Sequence, residues 1–227
     1  MAYLAAVTKR IRLVTGVLVL PQRQTALVAK QAAEIDVLTG GRLTLGVGVG
    51  HNPIEFDVMG ASFRDRGRRF EEQIEVLRAF WTQNIVNYSG RWHTIQDASL
   101  APLPVQRPIP LWFGVGSGAA PMPSDAILHR VGRLADGWFA LFKPDAAAIE
   151  AIAKVHAAAR EVGRNPDDIK MEMNLLVEAK SRQQLMDEVK EMRDMGASQF
   201  NVRFAADSDA GQIEALRRFR EVIDAFD

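Results

Sequence analysis

The chain has 227 residues, of which 48% are hydrophobic, with 28 basic and 28 acidic side chains and no cysteine. Zero net charge argues against a nucleic acid or another polyanion as a partner, and the lack of cysteine excludes disulfides, thiolate metal ligands and a cysteine nucleophile. No apolar stretch reaches the ~20 residues of a membrane span, and the N-terminus lacks the charge order of a signal peptide. We therefore expect a cytoplasmic protein with one domain over residues 1–227.

Apolar runs and amphipathic helices alternate along the chain. A short opening helix over roughly residues 2–9 precedes an apolar run at 11–20, which predicts a strand that is buried on both faces. The spacing then predicts a helix at 25–38, a strand at 42–49 and a long amphipathic helix at 63–81. The proline-rich stretch 82–110 contains a hairpin signal around Ser89 and Gly90, and its length suggests an insertion that covers a site.

The second half continues the alternation. Strands are predicted at 111–115, 136–141, 170–177 and 199–204, and helices at 125–134, 146–162, 182–195 and 211–226. With the first half, the chain has six strands, each followed by a helix, which predicts a parallel sheet. Two architectures remain open on this pattern alone: a doubly wound open sheet, and a (β/α)8 barrel that is short of complete.

Residues 25–82 carry a resemblance to a known family. They read TALVAKQAAEIDVLTGGRLTLGVGVGHNPIEFDVMGASFRDRGRRFEEQIEVLRAFWT. This is similar to the pattern of the luciferase-like monooxygenase family: a helix ending D-x-L-S-x-G-R, a strand ending L-G-x-G-x-G, an E-F or E-Y pair, and a helix with R-x-x-x-x-E and L-x-x-L-W. Thr39 stands where serine is usual. The later stretches PLPVQRPIPLWFGVGSGAA and RLADGWF match as well.

The resemblance implies a fold and an activity. The fold is an α/β (β/α)8 TIM barrel with an insertion after the second long helix, incomplete here because the chain supplies six βα units and has no counterpart of the family's first two strands. The implied activity is an oxidoreductase that passes a hydride between coenzyme F420, a deazaflavin, and a small organic substrate. An FMN-dependent monooxygenase is the alternative within the family, and a non-catalytic shortened barrel is the alternative outside catalysis.

An incomplete barrel also has implications for partners. Its first and last strands, at 11–20 and 199–204, would leave free edges, and free edges favour pairing with another chain. A homodimer is therefore expected. The family's missing strands often supply a histidine proton donor, and no residue here inherits that role. Asn174 and residues 201–203 suggest a polar group on a substrate that the sequence does not identify.

The first candidate site residues follow the broken strand. Thr15, Gly16 and Val17 interrupt the run at 11–20, as at a bulge or a close backbone approach. In members that bind the deazaflavin, the resemblance implies a bulge with a non-proline cis peptide behind the ring at this place. The competing interpretation is a glycine that fits a crowded interior.

A second set follows the next strand. Gly46, Gly48 and Gly50 recur at every second position, as on one face of a strand. They have two possible explanations: they leave room for a flat ring, or they allow tight packing inside the barrel. Val49, Gly50 and His51 are expected at the mouth of the barrel, where barrel sites lie. His51 is the candidate catalytic residue, because an imidazole there can donate a proton or touch the ring.

The third set, Gly116, Ser117 and Gly118, is expected to hold the cofactor phosphate between a strand and a helix, against the alternative of a flexible connector. Other residues receive structural interpretations. Trp112, Phe113 and Trp138 are assigned to the core, Asp36 and Arg42 to a structural pair, and the basic run at 64–69 to a solvated helix face rather than to a cofactor's acidic tail. His93, His129 and His156 lack metal-ligand spacing, so no metal site is predicted.

Overall fold

The computed structural model describes residues 1–177, 180–204 and 208–224, with all their side chains except that of Arg218. The end of the last predicted helix, at Phe226, lies outside the described residues. The chain divides into two compact units, which are Met1–Gly114 with Leu134–Gly137, and Val115–Arg133 with Trp138–Asp227. Within the described part of the chain, no helix is both long enough and apolar enough to cross a membrane.

The first unit contains a parallel sheet with its helices and a separate hairpin. Strands β1 and β2 both pair in parallel with β3, and β3 pairs in parallel with β6, while β4 and β5 form an antiparallel hairpin. The elements are α1 (Ala2–Val7), β1 (Leu13–Val14), β2 (Leu18–Val19), a 3-10 turn (Leu20–Gln22), α2 (Thr25–Thr39), β3 (Leu43–Gly48), α3 (Pro53–Val58), α4 (Arg66–Thr82), β4 (Val86–Ser89), β5 (Thr94–Ala98) and β6 (Leu111–Gly114).

The second unit holds most of the remaining elements. Strand β8 pairs in parallel with β9, with Glu172 opposite Gln199 and Asn174 opposite Asn201. The elements are α5 (Asp125–Leu134), β7 (Gly137–Ala140), α6 (Ala146–Glu161), a 3-10 turn (Pro166–Asp168), β8 (Lys170–Leu176), α7 (Arg182–Asp194), β9 (Gln199–Arg203) and α8 (Asp209–Ile223).

The core of the first unit forms where the sequence pattern predicts it. Every residue of β3 is buried, as expected for a strand covered on both faces. On α4 the predicted stripe of Phe70, Ile74, Leu77 and Trp81 is at most 1% exposed. Helix α2 ends where Gly40 adopts a φ of 66° and its amide bonds the last turn, which is the stop that the sequence indicated.

Some local details differ from the predictions. The run at 11–20 forms two short strands instead of one, and the short helix α3 was not predicted. The expected pairing of Asp36 with Arg42 is wrong. The buried Asp36 carboxylate accepts from the backbone and side-chain nitrogens of Gln106, and Arg42 donates to backbone carbonyls that include Ile11. Asp36 and Arg42 therefore each connect segments that are distant in sequence, through hydrogen bonds and not through a salt bridge with each other.

Candidate functional site

The break between β1 and β2 has a defined structure. The Thr15 hydroxyl donates to the Gly46 carbonyl oxygen on β3 at 2.8 Å, so a side chain replaces a ladder hydrogen bond across the break. The peptide bond between Gly16 and Val17 is cis, as the resemblance implied for members that bind the deazaflavin. Nothing lies within 4 Å of the position that a β-carbon on Gly16 would take. The break is therefore anchored on the β3 side and open beside Gly16.

Val17 rests on two glycines of neighbouring strands. A β-carbon on Gly48 would lie 3.0 Å from Val17 Cγ2, and one on Gly114 would lie 2.9 Å from Val17 Cγ1. Both glycines thus make room for the valine side chain. Val17 nevertheless stays 39% exposed, and its β-branched side chain is stiff about χ1. We call this exposed valine, with Gly48 and Gly114 against it, the Val17 platform.

The chain after β3 folds back tightly. Gly50 has a φ of 76°, and a β-carbon there would lie 2.7 Å from Val19 Cγ1 and 2.8 Å from Phe56 Cε2. Both its conformation and its surroundings therefore require glycine. Arg66 Nε donates to the Gly50 carbonyl oxygen at 3.1 Å. Arg66, one of the basic run, is thus engaged in fixing the backbone beside His51.

His51 lies exposed at the entrance to α3. The next residue, Asn52, caps the helix, since its Oδ1 accepts from the Ile54 amide at 3.1 Å and its Nδ2 donates to Glu55 Oε1 at 3.2 Å. Glu55 Oε2 also accepts from Gln22 Nε2 at 3.4 Å. Glu55 therefore helps to hold this turn to Gln22 and Asn52, and His51 projects from the turn into solvent.

The predicted phosphate loop lies in the second unit and is partly closed on itself. Gly116 has a φ of 75°, and a β-carbon there would lie 2.4 Å from the Pro121 carbonyl oxygen. The Ser117 amide donates to the Ala120 carbonyl at 2.9 Å, and the Ala120 amide donates back at 3.1 Å. The Ser117 amide is thus engaged inside the loop. Gly118 has nothing within 4 Å of a β-carbon position, so the loop is open there.

The N-terminus of the helix that follows this loop, α5, already has an acidic side chain in its first turn. Helix α5 starts at Asp125, whose carboxylate accepts from Lys154 Nζ at 2.8 Å. An acidic side chain in the first turn already interacts favourably with the helix dipole. Any phosphate held by this loop would therefore depend on the loop itself and not on the helix terminus.

The aromatic residues of the central strands lie in the core, as predicted. Trp112, Phe113 and Trp138 are 5%, 2% and 2% exposed. Gly137 allows this packing in the first unit, because a β-carbon there would lie 2.4 Å from the Trp112 ring. These rings are therefore part of the hydrophobic core.

Strand β8 carries an acidic residue that sequence analysis missed. Glu172 and Asn174 are partly buried on the strand face opposite to three fully buried apolar residues, Met171, Met173 and Leu175. Burial raises the pKa of the Glu172 carboxyl above its usual value. An acidic residue within an alternating apolar strand was the signal available in the sequence.

Sequence analysis also missed a buried polar chain in the first unit. It consists of Glu72 and Gln73 on α4, Thr25 on α2, and His93 before β5. Gln73 is fully buried and Glu72 is 9% exposed. The sequence signal was a polar residue, Gln73, on the apolar stripe of a helix. Among the described residues, no group of three or more histidine, aspartate and glutamate side chains is placed to hold a metal ion.

Comparison with known proteins adds a family and a fold. The model of a family described as luciferase-like monooxygenase matches residues 1–225. An uncharacterised protein of Mycobacterium tuberculosis is 42% identical over 137 residues, which are 60% of this chain and 44% of the relative. The FMNH2-dependent dimethylsulfone monooxygenase of Pseudomonas putida is 38% identical over 120 residues, which are 52% of this chain and 33% of that enzyme. The chain thus spans less than half the length of these curated relatives.

A solved structure extends the likeness to nearly the whole chain. The F420-dependent secondary alcohol dehydrogenase in complex with an F420-acetone adduct superposes with a TM-score of 0.82 at 19% identity, over 99% of this chain and 82% of that one. At this identity the likeness shows the fold alone. It confirms the predicted fold class, six βα units of an incomplete (β/α)8 barrel.

Proposed function

Because this chain belongs to the luciferase-like monooxygenase family, a family of oxidoreductases, we propose that it binds coenzyme F420 against the Val17 platform and transfers a hydride between F420 and a small organic substrate. The observation that carries the proposal is the platform itself. Val17 stands exposed on Gly48 and Gly114, and each glycine lacks the β-carbon that would displace it. Such a platform suits the face of a flat ring.

The surroundings of the platform fit a ring. Gly16 leaves open space where a side chain would otherwise stand, and Thr15 anchors the break to β3. The stiff side chain of Val17 offers an apolar surface that does not need to reorganise when a ring is bound. Thr15, Gly16 and Val17 would therefore contact the ring, together with Val49 and Gly50 after β3.

The deazaflavin, when bound, supplies the carbon that gives or accepts the hydride. The protein's part is to hold the ring, to orient the substrate and to move a proton. His51 is the candidate for the proton, since its imidazole is exposed beside Gly50 and an imidazole can act as a general acid or base. Arg66 fixes the Gly50 carbonyl and so holds the backbone from which His51 projects.

The phosphate of the cofactor is assigned to Gly116, Ser117 and Gly118. The Ser117 amide is used within the loop, and the Ser117 hydroxyl oxygen accepts from the Ala120 amide at 3.1 Å. The hydroxyl hydrogen and the open side of Gly118 remain for a phosphate oxygen. This is a modest set of donors. The proposal therefore predicts that the ring contributes more to affinity than the phosphate does.

A second candidate is an FMN-dependent monooxygenase. It is favoured by the sequence likeness to an FMNH2-dependent enzyme, which is closer in identity than the structural likeness to an F420-dependent one. The platform suits either ring, because the two cofactors present a similar flat tricycle. The preference for F420 rests on the resemblance of the motifs.

The third candidate is a non-catalytic shortened barrel that forms a homodimer. Within the described residues, β1 pairs with β3 alone and β9 with β8 alone, so both are edge strands. Apolar side chains near the first edge are exposed, among them Ile11 at 57% and Val14 at 39%. A homodimer would cover such an edge, and light scattering that gives a monodisperse monomer would count against it.

The deciding experiment is a fluorescence titration of the purified chain with coenzyme F420, with FMN and with riboflavin. Saturable binding of F420 in preference to FMN supports the proposal. Preference for FMN transfers support to the monooxygenase. Absence of binding to all three overturns the enzyme proposal for this chain and leaves the non-catalytic candidate.

A further inference from the structure

The carboxylate of Glu72 holds the turn of the β4–β5 hairpin. Its Oε2 accepts from the Arg91 amide at 2.9 Å, and its Oε1 accepts from the amides of Trp92 and His93 at 2.8 Å each. Gly90 makes this approach possible, because a β-carbon there would lie 2.6 Å from the carboxylate. The carboxylate thus gathers the backbone donors of the turn.

The imidazole of His93 adds a fourth bond to the same group. Because an ionised carboxylate can only accept, His93 Nδ1 donates to Glu72 Oε1 at 2.8 Å. Burial raises the pKa of Glu72, but the hydrogen bonds from His93 and from the backbone amides outweigh burial and leave the pKa lowered. Glu72 is therefore ionised at neutral pH.

His93 extends this contact to α2. In the tautomer that carries its proton at Nδ1, the imidazole has a lone pair at Nε2, which lies 2.6 Å from Thr25 Oγ1. The Thr25 hydroxyl therefore donates to the ring. The order of carboxylate, imidazole and hydroxyl is that of a nucleophilic triad. Thr25 is only 4% exposed, however, so no substrate reaches its oxygen.

Gln73 connects these hydrogen-bonded side chains to the backbone at Leu20 and Arg23, which follows β2. Its Nε2 lies 3.0 Å from Thr25 Oγ1, 3.2 Å from the Leu20 carbonyl oxygen and 3.1 Å from the Arg23 carbonyl oxygen. Two backbone carbonyls thus fix the orientation of the amide. The two N–H groups of this amide are shared among the three acceptors, and Gln73 Oε1 has no partner in the part of the chain that the structure describes.

The turn that Gln73 holds directly follows β2. Leu20 O accepts from the Arg23 amide at 2.9 Å as well as from Gln73, and this closes the 3-10 turn. Strand β2 in turn begins at Leu18, the residue after Val17. A continuous set of hydrogen bonds therefore runs from the hairpin turn to the chain that carries the platform.

We propose that His93 is a positioning residue that couples the β4–β5 hairpin to the Val17 platform. It acts through Thr25 and Gln73, so that seating of the hairpin holds the turn at Leu20 and with it the valine against which the cofactor ring rests. The inference depends on the proposed function for its effect on cofactor binding. The mechanical coupling itself is measurable without any cofactor.

Two amide substitutions separate the two bonds of the imidazole. His93→Asn places an amide nitrogen where Nδ1 stands and keeps the bond to Glu72, but does not reach Thr25. His93→Gln places its amide near Nε2 and keeps the bond to Thr25, but gives up the side-chain bond to Glu72. The backbone bonds of the turn remain in both variants. We expect the Arg23 amide to exchange about tenfold faster in His93→Asn, because the hydrogen bond between residue 93 and Thr25 is lost. In His93→Gln, exchange of the same amide should stay near the wild-type rate.

Thr25 provides a second pair, which guards against misfolding at His93. Thr25→Val removes the hydroxyl with little change of shape and should accelerate exchange of the Arg23 amide, while Thr25→Ser should restore it. Glu75→Gln is the matched control, because Glu75 also bonds the hairpin, through the Tyr88 hydroxyl at 2.7 Å, but does not lie on the chain to Gln73. It should leave the Arg23 amide unchanged.

Cofactor affinity then connects the coupling to function. If wild-type protein binds F420 or FMN, His93→Asn should weaken binding several-fold and His93→Gln should not. Equal exchange rates in the two His93 variants, or a Glu75→Gln effect as large as theirs, would overturn the coupling. Failure of the wild-type chain to bind any cofactor would overturn the proposed function, while the exchange rates would still decide the coupling.

Discussion

Val17 Cγ2 lies 3.0 Å from the point where a β-carbon on Gly48 would stand. The contact joins the break between β1 and β2 to the fully buried strand β3. It explains Gly48, for which the sequence left two interpretations open. The glycine makes room for a valine, and the valine in turn is left exposed where a flat ring would lie. The contact supports the packing interpretation of Gly48, and the exposed valine is the surface on which the proposed ring would lie.

The first prediction concerns the glycine. Gly48→Ala should destabilise the fold by about 1–3 kcal/mol, because the added methyl overpacks against Val17. In a Val17→Ala background the same substitution should cost much less, since the clashing methyls are gone. Urea unfolding of the four proteins measures the coupling. Equal costs in the two backgrounds would show that the contact does not explain the glycine.

The second prediction concerns the platform. Val17→Ala should weaken cofactor binding about five- to tenfold, because the apolar area lost is worth about 1–1.5 kcal/mol. Val14→Ala is a matched control, since Val14 is also a valine that is 39% exposed on the neighbouring strand. Fluorescence titration of both variants tests the prediction. An equal loss of affinity in both would remove Val17 from the site.

The third prediction follows from the lowered pKa of Glu72. A group whose pKa is lower in the folded state contributes stability above its unfolded pKa of about 4.3 and loses it as the pH falls through the folded pKa. Glu72→Gln should therefore cost about 2–3 kcal/mol near pH 7, given the hydrogen bonds to a charged group. The difference from wild type should shrink below pH ~4.

Urea unfolding over a range of pH checks this, with Glu75→Gln as the control. Within the described residues, Glu75 receives one side-chain bond, from Tyr88, and its replacement should cost less than about 1 kcal/mol. A penalty for Glu72→Gln that stays constant from pH 7 to pH 3 would contradict the ionised role assigned to Glu72.

The fourth prediction follows from the raised pKa of Glu172. A carboxyl whose pKa is higher in the folded state stabilises the protein below its unfolded pKa, and that contribution is lost as the pH rises through the folded pKa. Glu172→Gln should thus raise the melting temperature near pH 7, by less than the ~2–4 °C that 1 kcal/mol is worth in a protein of this size, because solvent screens this partly buried side chain. The gain should vanish near pH 4. Glu191→Gln, at an exposed position of α7, should have no effect at either pH.

The fifth prediction concerns the loop at residues 116–118. Gly118→Asp should be tolerated, because a side chain there meets open space, but its charge should repel a phosphate. FMN should bind at least about tenfold more weakly, since the repulsion between two like charges at close range near a protein surface exceeds ~1.4 kcal/mol. Riboflavin has the same ring without the phosphate and should bind unchanged. Parallel loss of both ligands would place the phosphate elsewhere.

Sequence pattern predicted much of the fold. The hairpin around Ser89 and Gly90 and the long stripe of α4 were correct, because turn residues and helical periodicity are local signals. Helix α3 was missed, since its six residues are too short to show a period. The Asp36–Arg42 pair was wrong because charges that are close along the chain found better partners in segments distant from them.

The residues of the first unit show which features the sequence alone determines and which require the tertiary structure. Apolar periodicity and turn residues determined the βα alternation, and Gly16 indicated the break, because these signals depend on neighbouring residues. The family came from the resemblance of the motifs in residues 25–82. Only the tertiary structure decided that Val17 fills the space of Gly48 and Gly114, and that Glu72, His93, Thr25 and Gln73 form one buried chain. These contacts join residues far apart in sequence, and strand register and the packing of α2 and α4 set which side chains meet.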